Sequence, residues 1–155
     1  MDLRTDLAFA ELLAGSYRRL TGRPLLPADL PAHAAARWLY EEAPFGLLAH
    51  NTAADPVFVY GNRRAQALFE YDWHELTALP SRLSAAAPQR DERERFLQRV
   101  RRDGYVDDYR GERITKHQRH FWIAGATVWQ LRDADGALHG QAAMIPAVEP
   151  GGCSR

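Results

Sequence analysis

The chain has 155 residues and a formal net charge of zero. It is long enough for one domain with a full core. Its neutral field excludes bulk electrostatic recruitment to DNA or an anionic membrane, and no apolar run reaches the ~20 residues of a membrane span. All but one of the basic residues are arginine, Lys116 being the exception; with the abundant alanine, this reads as a GC-rich bacterial genome. Asp2, Asp6 and Glu11 do not suit a secretory signal. The single cysteine, Cys153, forms no internal disulfide, so the cytoplasm is the expected location.

Taken in order, residues 2–20 predict an amphipathic helix, with Leu3, Leu7, Ala10, Ala14 and Tyr17 recurring at steps of four and three. Thr21, Gly22 and Pro24 end it. The proline-stiffened stretch 23–31 leads to a second helix over about 31–42, which Pro44 stops. Two short apolar strands follow at 45–50 and 56–60, separated by the turn-rich NTAAD. Asn62 is placed to cap a helix over 63–71. Asp72 and Glu75 have the spacing of a capping box. Asp91 is expected to cap a longer helix, 91–104, with Phe96, Leu97 and Val100 as its buried stripe and Gly104 as its stop.

Three strands close the chain, divided by polar residues 115–119 and by the hairpin signal Asp133-Ala134-Asp135-Gly136. Simple alternation along 121–131 puts Phe121, Ile123, Thr127, Trp129 and Leu131 on one face. Trp122, Ala124, Ala126 and Val128 take the other. Both faces are apolar and need a cover. The N-terminal helix is expected to supply one, against Trp122 and Val128, with a partner subunit as the rival cover.

The element order describes an α+β domain: an antiparallel sheet of about five strands, helices on one face and an N-terminal helical extension. Four segments carry a sharper signal: APFGLLAHNTAADPVFVYGN (43–62), LFEYDWHELTALPSRLSA (68–85), YVDDYRGERIT (105–115) and ATVWQLRDADGALHGQAA (126–143). They resemble the MEKHLA domain, a PAS-like regulatory module. The resemblance implies a PAS-like fold with no established reaction. It divides the chain into a helical extension (1–42), the PAS-like domain (43–147) and a disordered tail (148–155). Ala86 and Ala87 depart from the pattern, since relatives carry an acidic residue shortly after the Ser-Ala.

No nucleophile elbow, phosphate loop or dinucleotide fingerprint is present, so the expectation is a binding or sensing module and not an enzyme. A flavin photosensor of this fold needs a reactive cysteine on the helix after the second strand, and 63–71 has none. A haem sensor needs an axial His, Cys or Met on a helix facing the cavity. The helix 91–104 has none, and His74 reads as a surface residue. His117 and His120 have an HxxH spacing without further ligands, which reads as solvated histidines. Asp107 and Asp108 adjoin on a strand and point apart. The arginines of 91–104 read as a solvated face laced with i,i+4 pairs.

A PAS-like cavity lies between the sheet and its helices. Phe58, Tyr60, Phe69, Trp73, Tyr109, Thr127 and Trp129 are the expected lining. His50, Asn62, Arg82, Arg113 and Gln141 are the polar points of convergence. Arg82 and Arg113 can fork onto a carboxylate or phosphate, or can pair with Asp107, Asp108 or Glu112. Asn62 also reads as a helix cap. The function expected is binding of a small organic ligand, or self-association as a homodimer; the rivals are a pure dimerisation module with a filled core and a small α+β cone-like enzyme. Nucleic acid and membrane are not expected partners.

Overall fold

In the computed structural model, which describes residues 2–84 and 90–146 (the side chains of 90–93 apart), five antiparallel strands form one sheet in the order β2-β1-β5-β4-β3. The strands are β1 (Gly46–His50), β2 (Phe58–Gly61), β3 (Tyr105–Ile114), β4 (His120–Arg132) and β5 (Leu138–Ile145). The α+β class and the five strands are as the sequence predicts. Ala86, Ala87 and the expected tail at 148–155 lie outside the described residues.

Helix α1 (Leu7–Thr21) starts later than its apolar pattern, because Asp6 caps it by accepting from the Ala8 N–H at 3.0 Å. Residues ahead of it form a turn in which Arg4 grips the Asp2 carboxylate. Gly22, at φ 74°, ends the helix in the left-handed conformation. The expected second helix is three short turns of different pitch, the middle one being α2 (Ala35–Arg37), ending at Glu42. Together α1 and this segment cover the outer face of the sheet. Leu13, Tyr17 and Leu39 are buried there against Leu47, Tyr60, Trp129 and Leu131.

The inner face is covered by α3 (Arg63–Phe69), α4 (Trp73–Leu76) and α5 (Arg90–Asp103). Helix α4 has the predicted capping box between Asp72 and Glu75. Helix α5 begins at Arg90, which places Asp91 inside the first turn; the Asp91 side chain lies outside those described. Among the described residues the α5 arginines pair off their own face, Arg99 with Asp108 on β3 at 3.8 Å and Arg102 with its neighbour Asp103 at 3.0 Å. Two ion pairs, Lys116 with Glu75 and Arg119 with Glu70, tie the β3–β4 turn to the inner helices. The backbone N–H of Lys116 also donates to the Phe69 carbonyl at 3.0 Å.

Strand irregularities decide which residues meet. Tyr109 pairs with Ala126 but Gly111 pairs with Ile123, so β4 carries an extra residue between them. Gly125, at φ 68°, absorbs it. The bulge reverses the alternation. Phe121 and Ile123 therefore share the inner face with Ala126 and Val128, and Thr127, Trp129 and Leu131 face α1. The predicted set Phe121-Ile123-Thr127-Trp129-Leu131 is thus split. Val128 packs on Phe96 and Val100 of α5, and α1 rests on Trp129 and Leu131. Trp122, on the outer face beside Glu112, lies under the Arg110 guanidinium at 4.3 Å.

A further bulge lies in β2. His50 pairs with Phe58 and Ala49 with Tyr60, so Val59 is the extra residue. Phe58 turns to the inner cluster, and Tyr60 turns to the outer one.

Candidate functional site

A cavity of about 50 Å³ lies between the inner face of the sheet and α5. Its floor comes from alternate positions of the central strands: Leu48 and His50 on β1, Gln141 and Ala143 on β5, Ala126 and Val128 on β4. Phe96 and Leu97 of α5 form the roof. Phe58 closes one side, and Tyr109, Arg113 and Ile123 close the other.

Five of the twelve expected site residues meet here: His50, Phe58, Tyr109, Arg113 and Gln141. The His50 Nδ1–H donates to the Asn51 carbonyl at 2.9 Å. Tyr109 stacks on Phe96 with ring centroids 4.2 Å apart, joining β3 to α5. It lies along the strand over Gly111, where a β-carbon would collide with the phenol. The phenol oxygen thereby comes within 3.4 Å of Arg113 Nη1.

Among the described residues Arg113 is the one buried charged side chain of this core, and it is only 8% exposed. Its Nη2 donates to the Ser84 hydroxyl, which itself donates to the Ser81 carbonyl at 2.7 Å. The guanidinium lies 5.9 Å from the centre of the Phe69 ring. Its Nε–H is buried without an acceptor. The acidic partners considered for it are engaged elsewhere: Asp107 with Arg23 at 3.2 Å, Asp108 with Arg99 and Glu112 with His120 at 2.8 Å. Asp107 and Asp108 pair with different elements, Arg23 after α1 and Arg99 on α5.

The other seven expected residues are elsewhere. Tyr60, Thr127 and Trp129 belong to the outer side of the sheet, because the two bulges reverse the strand alternation there; Trp73, at the start of α4, packs against the same outer cluster. Burial pushes the Tyr60 phenol well above its ordinary value. Trp73 stacks edge-on against Tyr40 and Tyr60, each at 5.7 Å. Phe69 is buried behind Arg113, edge-on to Phe121 at 5.2 Å, and does not reach the cavity.

Asn62 is fully buried and saturated. Its Oδ1 accepts from Leu47 and Ala65, and its Nδ2 donates to Leu39 and Phe45, all within 3.0 Å. No donor or acceptor is left for a ligand. Arg82 is a surface residue, half exposed and paired with Asp55 at 3.1 Å. The lining that was not expected includes Phe96, Leu97, Ile123 and Val128. Phe96 and Leu97 already stood out as the apolar stripe of their helix, and that stripe was the available signal.

The described cavity wall offers no serine or cysteine nucleophile. No three His, Cys, Asp or Glu side chains gather to hold a metal among the described residues. No described helix is long and apolar enough to cross a membrane.

The fold is shared with solved PAS and light-oxygen-voltage domains. The PAS domain of a protein from Colwellia psychrerythraea superposes with a TM-score of 0.62 at 9% identity, over 75% of this chain and 92% of that one. A fungal light-oxygen-voltage photoreceptor domain gives 0.59 at 17%, over 88% and 91%. An RNA-binding light-oxygen-voltage receptor gives 0.64 at 17%, over 81% of this chain and 36% of the longer receptor. At such identities the likeness is one of fold alone. No curated protein matches the sequence. The model of the MEKHLA domain matches residues 7–150, so that α1 as well as the sheet falls inside the match. With all but its two ends spanned in this way, the chain belongs to the MEKHLA domain family.

Proposed function

We propose that this protein is a non-enzymatic sensor module that takes a small organic ligand in the cavity between the sheet and α5. It reports occupancy through the packing of α1. The observation that carries this reading is the adjacency of Val128 and Trp129. Val128 lines the cavity under α5, and Trp129, the next residue, holds α1 on the opposite face. A displacement of β4 by a ligand is felt on both sides, because neighbouring strand residues move together. In this reading, His50, Phe58, Tyr109, Arg113 and Gln141 are the ligand contacts. Residues 43–147 are the sensing domain, 1–42 transmit the change, and the cytoplasm is the place of action.

The cavity size supports a second reading. About 50 Å³ is far below the roughly 300–1,000 Å³ of a drug-sized ligand site, so a flavin or haem is a poor occupant. A nearly filled core also suits a module that acts by self-association as a homodimer. Native mass spectrometry of freshly purified protein, compared with its denatured mass, separates the two. Extra mass lost on denaturation supports the ligand reading. A clean apo mass in a stable dimer supports self-association.

A further inference from the structure

We infer that the ligand of this cavity is a short-chain monocarboxylate, bound through its carboxylate by Arg113. The inference rests on the cavity being the ligand site proposed above. Arg113 is a cation and is more than nine-tenths buried. Yet among the described residues every group it touches is neutral: the Ser84 hydroxyl, the Tyr109 phenol and the Phe69 ring face. A buried charge without a counter-charge is strongly unfavourable, and an anion relieves it.

The free donor sets the chemistry. Nε–H is the part of the guanidinium with no acceptor; Nη2 beside it carries a second N–H besides the one given to Ser84, which would complete a fork of two donors. That edge matches the two oxygens of a carboxylate. Ser84 and Tyr109 engage the two terminal nitrogens, Nη2 and Nη1, and Gly111 gives the phenol the room to do so. The Tyr109 hydroxyl keeps its own proton to offer the bound anion.

The rest of the wall sets the size. Ile123, Ala126 and Val128 are apolar and suit a hydrocarbon tail, and the volume allows only a short one. A phosphate dianion fits less well, since Arg113 is the one permanent cation on the described wall and would leave a charge uncompensated.

The test is an NMR titration of the full-length chain at constant ionic strength, reading the Arg113 Nε–H and the methyls of Ile123 and Val128. Sodium acetate and neutral acetamide are the paired probes, with sodium chloride as the salt control. Acetate is expected to give a saturable one-site shift at all three residues, at least about tenfold tighter than acetamide. Arg113→Lys keeps the charge but loses the fork, and is expected to weaken acetate about tenfold and acetamide by less. Equal affinity for acetate and acetamide overturns the carboxylate assignment and leaves the cavity as a ligand site. No saturable response of Ile123 or Val128 to either probe overturns both. The comparison on the unaltered chain stands whether or not Arg113→Lys folds.

Discussion

The Trp129 indole N–H donates to the Ser16 hydroxyl at 2.9 Å inside the core, and Ser16 in turn donates to the Leu12 carbonyl at 2.6 Å. Tyr17 meets the same indole edge-on at 4.9 Å. One residue of β4 therefore makes both a polar and an aromatic contact to a helix more than a hundred positions away in sequence. Ser16→Ala leaves the indole N–H buried without an acceptor. It is expected to cost about 1–3 kcal/mol in urea unfolding. In a cycle with Trp129→Phe, which removes the donor, the double variant should lose less than the sum of the two single losses. Additive losses would show that the bond contributes nothing.

The cover supplied by α1 gives a second outcome. Removal of residues 1–22 uncovers Tyr60, Trp129 and Leu131, all within 2% of full burial. The truncated protein should self-associate in a concentration-dependent way, followed by light scattering. A monodisperse truncation as stable as the full chain contradicts the packing described. Within α1, Leu13→Ala should cost about 2–5 kcal/mol because Leu13 is 1% exposed. Leu7→Ala, at a position 48% exposed, should be close to neutral.

Asn62 provides a third. Its side chain satisfies the N–H groups of Leu47 and Ala65 and the carbonyls of Leu39 and Phe45. Asn62→Ala strands several buried groups at once, each worth about 1–3 kcal/mol, so the variant should be severely destabilised or unfolded by circular dichroism. Asn62→Asp keeps the two acceptor bonds and loses the two donor bonds, and should fall in between. A ligand contact alone would leave stability unchanged in both.

The Glu75 carboxyl gives a pH dependence. The Lys116 ammonium, and then the Asp72 backbone N–H, hold it below the ordinary glutamate value of 4.5. Its contribution to stability is therefore complete above that value and is lost as the pH falls through the lower folded value. Glu75→Gln keeps an acceptor for the Asp72 N–H but removes the charge. The difference in urea midpoint between native and Glu75→Gln proteins should be present at neutral pH and vanish in acid. A difference that persists unchanged at low pH rules out this linkage.

Local features were legible in the residue order because their causes are local. The Gly22 and Gly104 stops, the Asn62 cap, the Asp72–Glu75 box and the Asp133–Gly136 turn each depend on a few neighbouring residues. The amphipathic stripe of α1 likewise announced a helix in need of an apolar surface. The five-stranded class followed from the count and order of such segments.

Which face each strand residue occupies was settled only by tertiary structure. A strand has a period of two, so one extra residue at Gly125, and another at Val59, moves everything beyond it to the opposite side. That is why Tyr60, Thr127 and Trp129 lie under α1 and not in the cavity, and why Val128 lies there in their place. Arg82 and Arg113 looked alike in sequence; one pairs with Asp55 at the surface, and the other is buried beside Ser84, Tyr109 and Phe69. By itself the sequence determined the elements, their order and the family they compose. Only the folded sheet decided which side chains share the cavity, because strand register and burial depend on residues far apart along the chain.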